Sequence, residues 1–196
     1  MERDPWQVLG YQIKNLLCDL RRKSCQRASL KPADWTWDGF PEPRFRFDPA
    51  SGAFRTRYAG STYEGAVRER YCDTGRVIPA DHAGQYLIRL VPTRPLRVFD
   101  LRTQRNLDVL EFDDQINTGQ KHRVWEKCHE LADAARRWWS DLDAIVYRSR
   151  TTPETSFNAA FFAGDAFVTE SWVLADRTDI LVDLVLNPDF TVNWEL

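Results

Sequence analysis

Apolar positions recur at spacings of three and four near the N-terminus. Trp6, Leu9, Ile13, Leu16, Leu17 and Leu20 fall on one helical face, which predicts an amphipathic helix. Asp4 is placed to cap it, with Pro5 in the first turn and Gln7 completing a capping-box pattern. This helix is expected to fade between Arg27 and Leu30, ahead of Pro32. The same period returns over Lys121–Asp141, where Val124, Cys128, Leu131, Ala132, Ala135 and Trp138 form a stripe.

Between these two helices the pattern changes. Residues 31–53 are broken up by Pro32, Pro41, Pro43, Pro49 and Gly52 and read as irregular. Phe54–Ala59 reads as a strand, after which Ser61 or Thr62 caps a short helix running to about Tyr71, with Ala66 on its inner side. Residues 73–84 look like a polar loop. Gln85–Val91 and Leu96–Leu101 read as strands and Asn106–Phe112 as a short helical stretch. Beyond the second long helix, Ala144–Arg148, Phe157–Phe162 and Phe167–Leu174 are strand candidates. The apolar runs Ile180–Leu186 and Thr191–Leu196 close the series, joined by turn chemistry at Asn187-Pro188-Asp189. This order lacks the regular alternation of a doubly wound sheet and predicts a mixed α+β domain. Residues 1–30 read as a helical extension and residues 31–196 as the main domain.

Composition narrows the function classes. The chain has 196 residues, 43% of them apolar, and a formal net charge of −2. That fits one folded domain and argues against a non-specific nucleic-acid binder, which carries a basic excess. The start lacks the basic and apolar pattern of a signal peptide, and the apolar run Ile180–Leu186 is short and interrupted by Asp183. A cytoplasmic protein with no membrane partner is expected. Cys18, Cys25, Cys72 and Cys128 form no Cys-x-x-Cys pair and read as reduced thiols. Eight tryptophans, Trp35 and Trp37 among them, serve either packing or stacking on a ring, and the sequence leaves that open.

Several familiar signatures are missing. There is no Gly-x-Gly-x-x-Gly, no phosphate loop, no His-Glu-x-x-His and no Gly-x-Ser-x-Gly. The histidines are His82, His122 and His129, and Cys128 beside His129 points in a different direction on a helix. No metal site is expected.

Three stretches stand together instead. The first is Arg46-Phe47-Asp48-Pro49. The second is Arg57-Tyr58-Ala59-Gly60-Ser61-Thr62, followed by Ala66 and Glu69. The third is Asp143-Ala144-Ile145-Val146-Tyr147-Arg148-Ser149, followed by Asn158 and Phe161-Phe162. In this order they resemble the RES-domain family, bacterial proteins named for an arginine, a glutamate and a serine, many of them toxins of toxin–antitoxin modules. The resemblance runs from about Phe45 to Phe162. It departs in one place: many relatives carry an arginine on a strand well before the Arg-Phe-x-Pro turn, and neither Arg27 nor Arg44 lies in that setting.

The resemblance implies an ADP-ribosyltransferase-like mixed β-sheet core with flanking helices. It further implies an enzyme that consumes NAD by hydrolysis or phosphorolysis at the nicotinamide–ribose bond, with NAD as substrate and no resident cofactor, arresting growth by depletion. A cognate antitoxin is the implied partner. Glu69 is the implied stabiliser of a cationic ribosyl centre, Arg46 a pyrophosphate clamp, and Tyr58 a further catalytic residue lining the nicotinamide pocket. Arg57, Ser149 and Asn158 join Arg46 and Tyr58 in binding NAD. Such residue types suit the chemistry: a carboxylate offsets developing positive charge, and an arginine fork matches phosphate oxygens. ADP-ribosylation of a cellular protein and a catalytically silent nucleotide-binding module remain alternatives, and self-association stays open.

Overall fold

A computed structural model describes residues 17–21, 42–72, 75, 77–151, 154, 156–162, 166–188 and 190–192. A seven-stranded mixed sheet forms the centre, in the order β5-β6-β7-β2-β1-β4-β8. Its strands are β1 (Leu17–Arg21), β2 (Arg57–Gly60), β4 (Tyr86–Pro92), β5 (Val98–Asp100), β6 (Ala144–Arg148), β7 (Phe157–Phe161) and β8 (Phe167–Val173). A small parallel pair, β3 (Val77–Ile78) with β9 (Thr191–Val192), lies apart. The helices are α1 (Tyr63–Tyr71), α2 (Gln104–Val109), α3 (Gln115–Thr118), α4 (His122–Trp138) and α5 (Thr178–Leu186). All neighbouring strands of the large sheet pair antiparallel except β5 with β6. The α+β expectation therefore holds.

Strand alternation assigns the two sheet faces. Ile145, Tyr147 and Ala160 meet Cys128, Leu131, Ala132 and Ala135 of α4 on one face. Ala59, Val146, Ala159 and Phe161 pack with Ile88, Leu90 and Val98 on the other. A third cluster joins Val67 and Tyr71 of α1 to Leu87 of β4 and to Ile180, Leu181 and Leu184 of α5. Asp143 pins the start of β6: it accepts two hydrogen bonds from Arg94, at 2.8 and 2.7 Å, and one from the Arg97 amide at 2.8 Å.

Two helices match their sequence signals closely. Thr62 caps α1, accepting from the Gly65 amide at 3.0 Å, and α4 buries Cys128, Leu131, Ala132 and Ala135 of its predicted stripe, with Val124 half-buried. Trp138 at its end is exposed, because the helix stops at that residue, and Trp139 turns in to lie 5.6 Å from the Phe99 ring.

Other expectations are corrected. Leu17–Arg21, read as part of the N-terminal helix, is strand β1 in the middle of the sheet. Leu17 and Leu20 suit a helix at spacing three, but β2 and β4 offer backbone partners on both sides. The rest of that expected helix, Trp35, Trp37 and Cys25 lie outside the described residues. The run Ile180–Leu186, grouped with the strands, is helical as part of α5. Ile180, Leu181 and Leu184 are buried while Val182, Val185 and Leu186 are exposed, a period hidden by a nearly continuous apolar run. The polar loop at 73–84 contains β3 and a turn of tighter helix at Ala80–His82.

The passage from β2 to α1 is tight. A Cβ added at Gly60 would stand 2.8 Å from the backbone nitrogen of Ala66, so α1 sits against the sheet at a distance only glycine permits. Gly60→Ala is expected to cost about 1–3 kcal/mol, read as a lower urea midpoint. Gly84→Ala, where a Cβ meets nothing within 4 Å, is expected to change the midpoint little.

Candidate active site

The Arg46-Phe47-Asp48-Pro49 stretch is a loop closed by its own aspartate. Asp48 Oδ2 accepts the amides of Arg44 at 2.9 Å and Phe45 at 2.8 Å. Its other oxygen accepts the Tyr58 hydroxyl at 3.0 Å and the Thr56 hydroxyl. The Phe47 amide in turn donates to Tyr58 Oη at 2.8 Å. One carboxylate thus docks the loop onto β2. Tyr58 is saturated by these contacts. Burial pushes its pKa well above the ordinary value, and the neighbouring Asp48 charge adds to the rise, so it serves as a neutral hydrogen-bonding group rather than as an acid or base.

Arg46 is buried, and its guanidinium faces main-chain carbonyls. It donates to Ile116 O at 3.1 Å, Gly119 O at 2.8 Å and, more weakly, Gln115 O at 3.4 Å. The Trp125 ring centroid lies 5.8 Å from it. These are carbonyls at the end of α3, where a cation is favourably placed. Asn117 and Arg148 secure the same segment: Asn117 Nδ2 donates to Leu101 O at 3.0 Å, and Arg148 pairs with Asp114. Cys128 lies beside Arg46, and burial pushes its thiol up to about 11, with the arginine acting the other way.

Glu69, one turn beyond Ala66 on α1, meets the end of β6. Ser149 Oγ donates to Glu69 Oε1 at 2.9 Å, and Thr151 Oγ1 donates to the same oxygen at 3.1 Å. The Thr151 amide donates to Ser149 Oγ at 3.2 Å. Ser149 is fully buried. Among the described residues, Glu69 Oε2 accepts no hydrogen bond. Arg150, next to Ser149, donates to Cys72 Sγ at 3.2 Å, at the end of α1.

The predicted residues therefore divide. Glu69 and Ser149 are in direct contact. Tyr58 and Asn158 lie on the same sheet face as Tyr147, because Tyr58 pairs with Ala160 and Asn158 pairs with Tyr147 across the ladder. Arg57 does not join them. Alternation turns it, with Ala59, toward the opposite face, where it is buried. Arg46 holds the segment after α3 instead of projecting as an open clamp. Asp48 and Tyr147 stand in the quoted motifs without a site role of their own, and Thr151 lies outside them. Thr151 looked like plain loop polarity two residues after Ser149, whereas an aspartate next to a turn proline is a recognisable loop-closing signal.

Among the described residues, no group of three or more His, Cys, Asp or Glu side chains could hold a metal ion, and no helix is long and apolar enough to cross a membrane. The Asp48 clasp carries a measurable cost. Asp48→Ala strands two amides and two hydroxyls and is expected to lower stability by about 2–3 kcal/mol. Tyr58→Phe is expected to cost about 1 kcal/mol. Combining the two in chemical denaturation should give a sum clearly smaller than additive, since they share a bond.

Comparison with known proteins adds family and fold. No curated protein matches the sequence. A solved structure, the crystal structure of the M. tuberculosis MbcT–MbcA toxin–antitoxin complex, is similar in fold with a TM-score of 0.55 and 11% identity, covering 87% of this chain and 91% of that one. The family model described as the RES domain matches residues 24–182. That span includes the Arg46 loop, Glu69, Ser149 and Asn158, and the chain belongs to the RES-domain family.

Proposed function

We propose that this protein is a toxin-type enzyme that cleaves the nicotinamide–ribose bond of NAD, passing the ribosyl group to water or phosphate and so depleting NAD. The observation that carries the reading is the Glu69 carboxylate. Two hydroxyls, from Ser149 and Thr151, fix one of its oxygens at 2.9 and 3.1 Å and leave the other without a partner among the described residues. A carboxylate fixed in this way suits a centre where positive charge develops.

The chemistry balances without an external acid. Nicotinamide in NAD is cationic, so the C1′–N bond breaks with its electron pair going to the ring nitrogen, and a neutral base leaves. The ribose becomes oxocarbenium-like, and the unpaired oxygen of Glu69 stabilises it. Water or phosphate then adds to C1′ and gives up a proton to solvent. Arg46 supports this by holding the α3 segment rather than by gripping phosphate directly. Arg150 is a cation beside the Glu69–Ser149 pair and suits the pyrophosphate.

Family membership and a fold neighbour solved as a toxin–antitoxin complex support the toxin reading and a cognate antitoxin as partner. The direct test is to incubate purified protein with NAD, with and without phosphate, and to follow free nicotinamide. Release is expected, with Glu69→Gln slowed by about 100-fold or more and no longer toxic on expression. If neither acceptor supports release, or if Glu69→Gln matches the parent, the reading is wrong. Label from NAD accumulating on a protein band would point to ADP-ribosyl transfer instead.

A further inference from the structure

Strand β8 ends the large sheet, with β4 on one side of it and, among the described residues, no strand on the other. Two flanking bonds fix the direction of its backbone groups. Leu174 N donates to Gln85 O, and Thr93 N donates to Ala166 O. Both pairs continue the β4–β8 register, in which Tyr86 faces Val173 and Pro92 faces Phe167. The even-numbered residues of β8 therefore exchange main-chain bonds with β4. The odd-numbered ones, Phe167, Thr169, Ser171 and Val173, turn their N–H and C=O groups outward. Those of Thr169, Ser171 and Val173 meet no other main-chain group among the described residues. Natural sheets blunt such an edge with lysine, proline, a bulge or a very short strand. Here the edge runs for seven residues, Phe-Val-Thr-Glu-Ser-Trp-Val, with no lysine or proline and an unbroken register. Val168 stands 56% exposed on it.

We propose that this edge pairs antiparallel with β8 of a second copy of the chain, about a two-fold axis at Glu170. An axis normal to the sheet keeps each face on its own side, so only residues of equal parity stand opposite one another. With Glu170 on the axis, Thr169 exchanges bonds with Ser171 of the second copy and Phe167 with its Val173, and the whole strand is paired. Val168 then faces Trp172 of the second copy. That sets a β-branched side chain against an aromatic ring in a close, non-hydrogen-bonded pair. Moving the axis to Thr169 would set Val168 against Glu170, and moving it to Ser171 would carry Val168 past the strand end, so both lose this contact. The axis brings two Glu170 carboxylates together, and Arg89 answers them. Arg89 lies opposite Glu170 on β4 and donates to it at 3.2 Å. That is the only hydrogen bond of its guanidinium among the described residues. The rest of the fork is left for the carboxylate across the axis, and two arginines with two glutamates make a row without net charge.

Gel filtration of the full chain with light scattering tests this. A dimer mass is expected at about 100 µM protein and a monomer mass at about 1 µM, as suits an interface smaller than the standard size. Ser171→Pro removes one outward N–H and no bond to β4. It should keep the circular dichroism of the parent and run as a monomer at both concentrations. Val168→Lys sets a charge against the tryptophan of the second copy and should also abolish the dimer, so the answer does not depend on the proline variant folding. Glu170→Cys reads the register. Under mild oxidation it should join two copies covalently, whereas Val168→Cys, whose equivalents stand far apart in this pairing, should link no faster than the parent. A parent that stays monomeric at the higher concentration overturns the proposal. So does a dimer that survives either folded edge variant, or linking of Val168→Cys as fast as Glu170→Cys. None of these outcomes bears on NAD cleavage.

Discussion

The Asp48 carboxylate is the contact on which the site depends. It gathers two amides from its own loop and two hydroxyls from the neighbourhood of β2. Once docked, that loop lets Arg46 reach the carbonyls at the end of α3. The α3 segment is fastened in turn to the end of β6 through Asn117 and the Arg148–Asp114 pair. A continuous series of polar contacts therefore runs around the site from β2 to β6. In such a network each bond orients the next, so a defect at one point is felt beyond it.

The polar groups sort by whether they are already satisfied. Arg46 and Tyr58 spend their hydrogen-bonding capacity inside the protein. Glu69 is half committed: one oxygen is fixed by Ser149 and Thr151, and the other is not. Tyr147 and Asn158 share a sheet face with Tyr58, and their side chains make no hydrogen bond among the described residues. A satisfied group makes a stiff wall, and an uncommitted one stays available to a ligand. The division between scaffold and chemistry thus follows hydrogen-bond accounting more closely than motif membership.

Local signals in the chain were readable, and distant ones were not. The Thr62 cap of α1 and the apolar stripe of α4 depend on residues a few positions apart, and both are where the pattern puts them. Ala144–Arg148 keeps its strand boundaries for the same reason. Leu17–Arg21 was misread because a strand's identity depends on its neighbours, here β2 and β4, and two leucines cannot encode that. The Glu69–Ser149 contact joins residues far apart in the chain, and only the family resemblance brought them together beforehand. The engagement of Arg46 was invisible because its partners are main-chain carbonyls, which every residue possesses. Arg57 and Tyr58 are adjacent in sequence, yet the pleat sends them to opposite faces.

Strand β1 has a consequence for how the molecule is handled. Within the described sheet it is the link between β2 and β4, and its residues precede the stretch matched by the family model. A fragment trimmed to the matched residues would divide the sheet into a four-stranded part and a two-stranded part. Each would present a raw backbone edge, and an open edge recruits strands from other chains. Solubility on expression therefore turns on keeping five residues that a family-based boundary would discard.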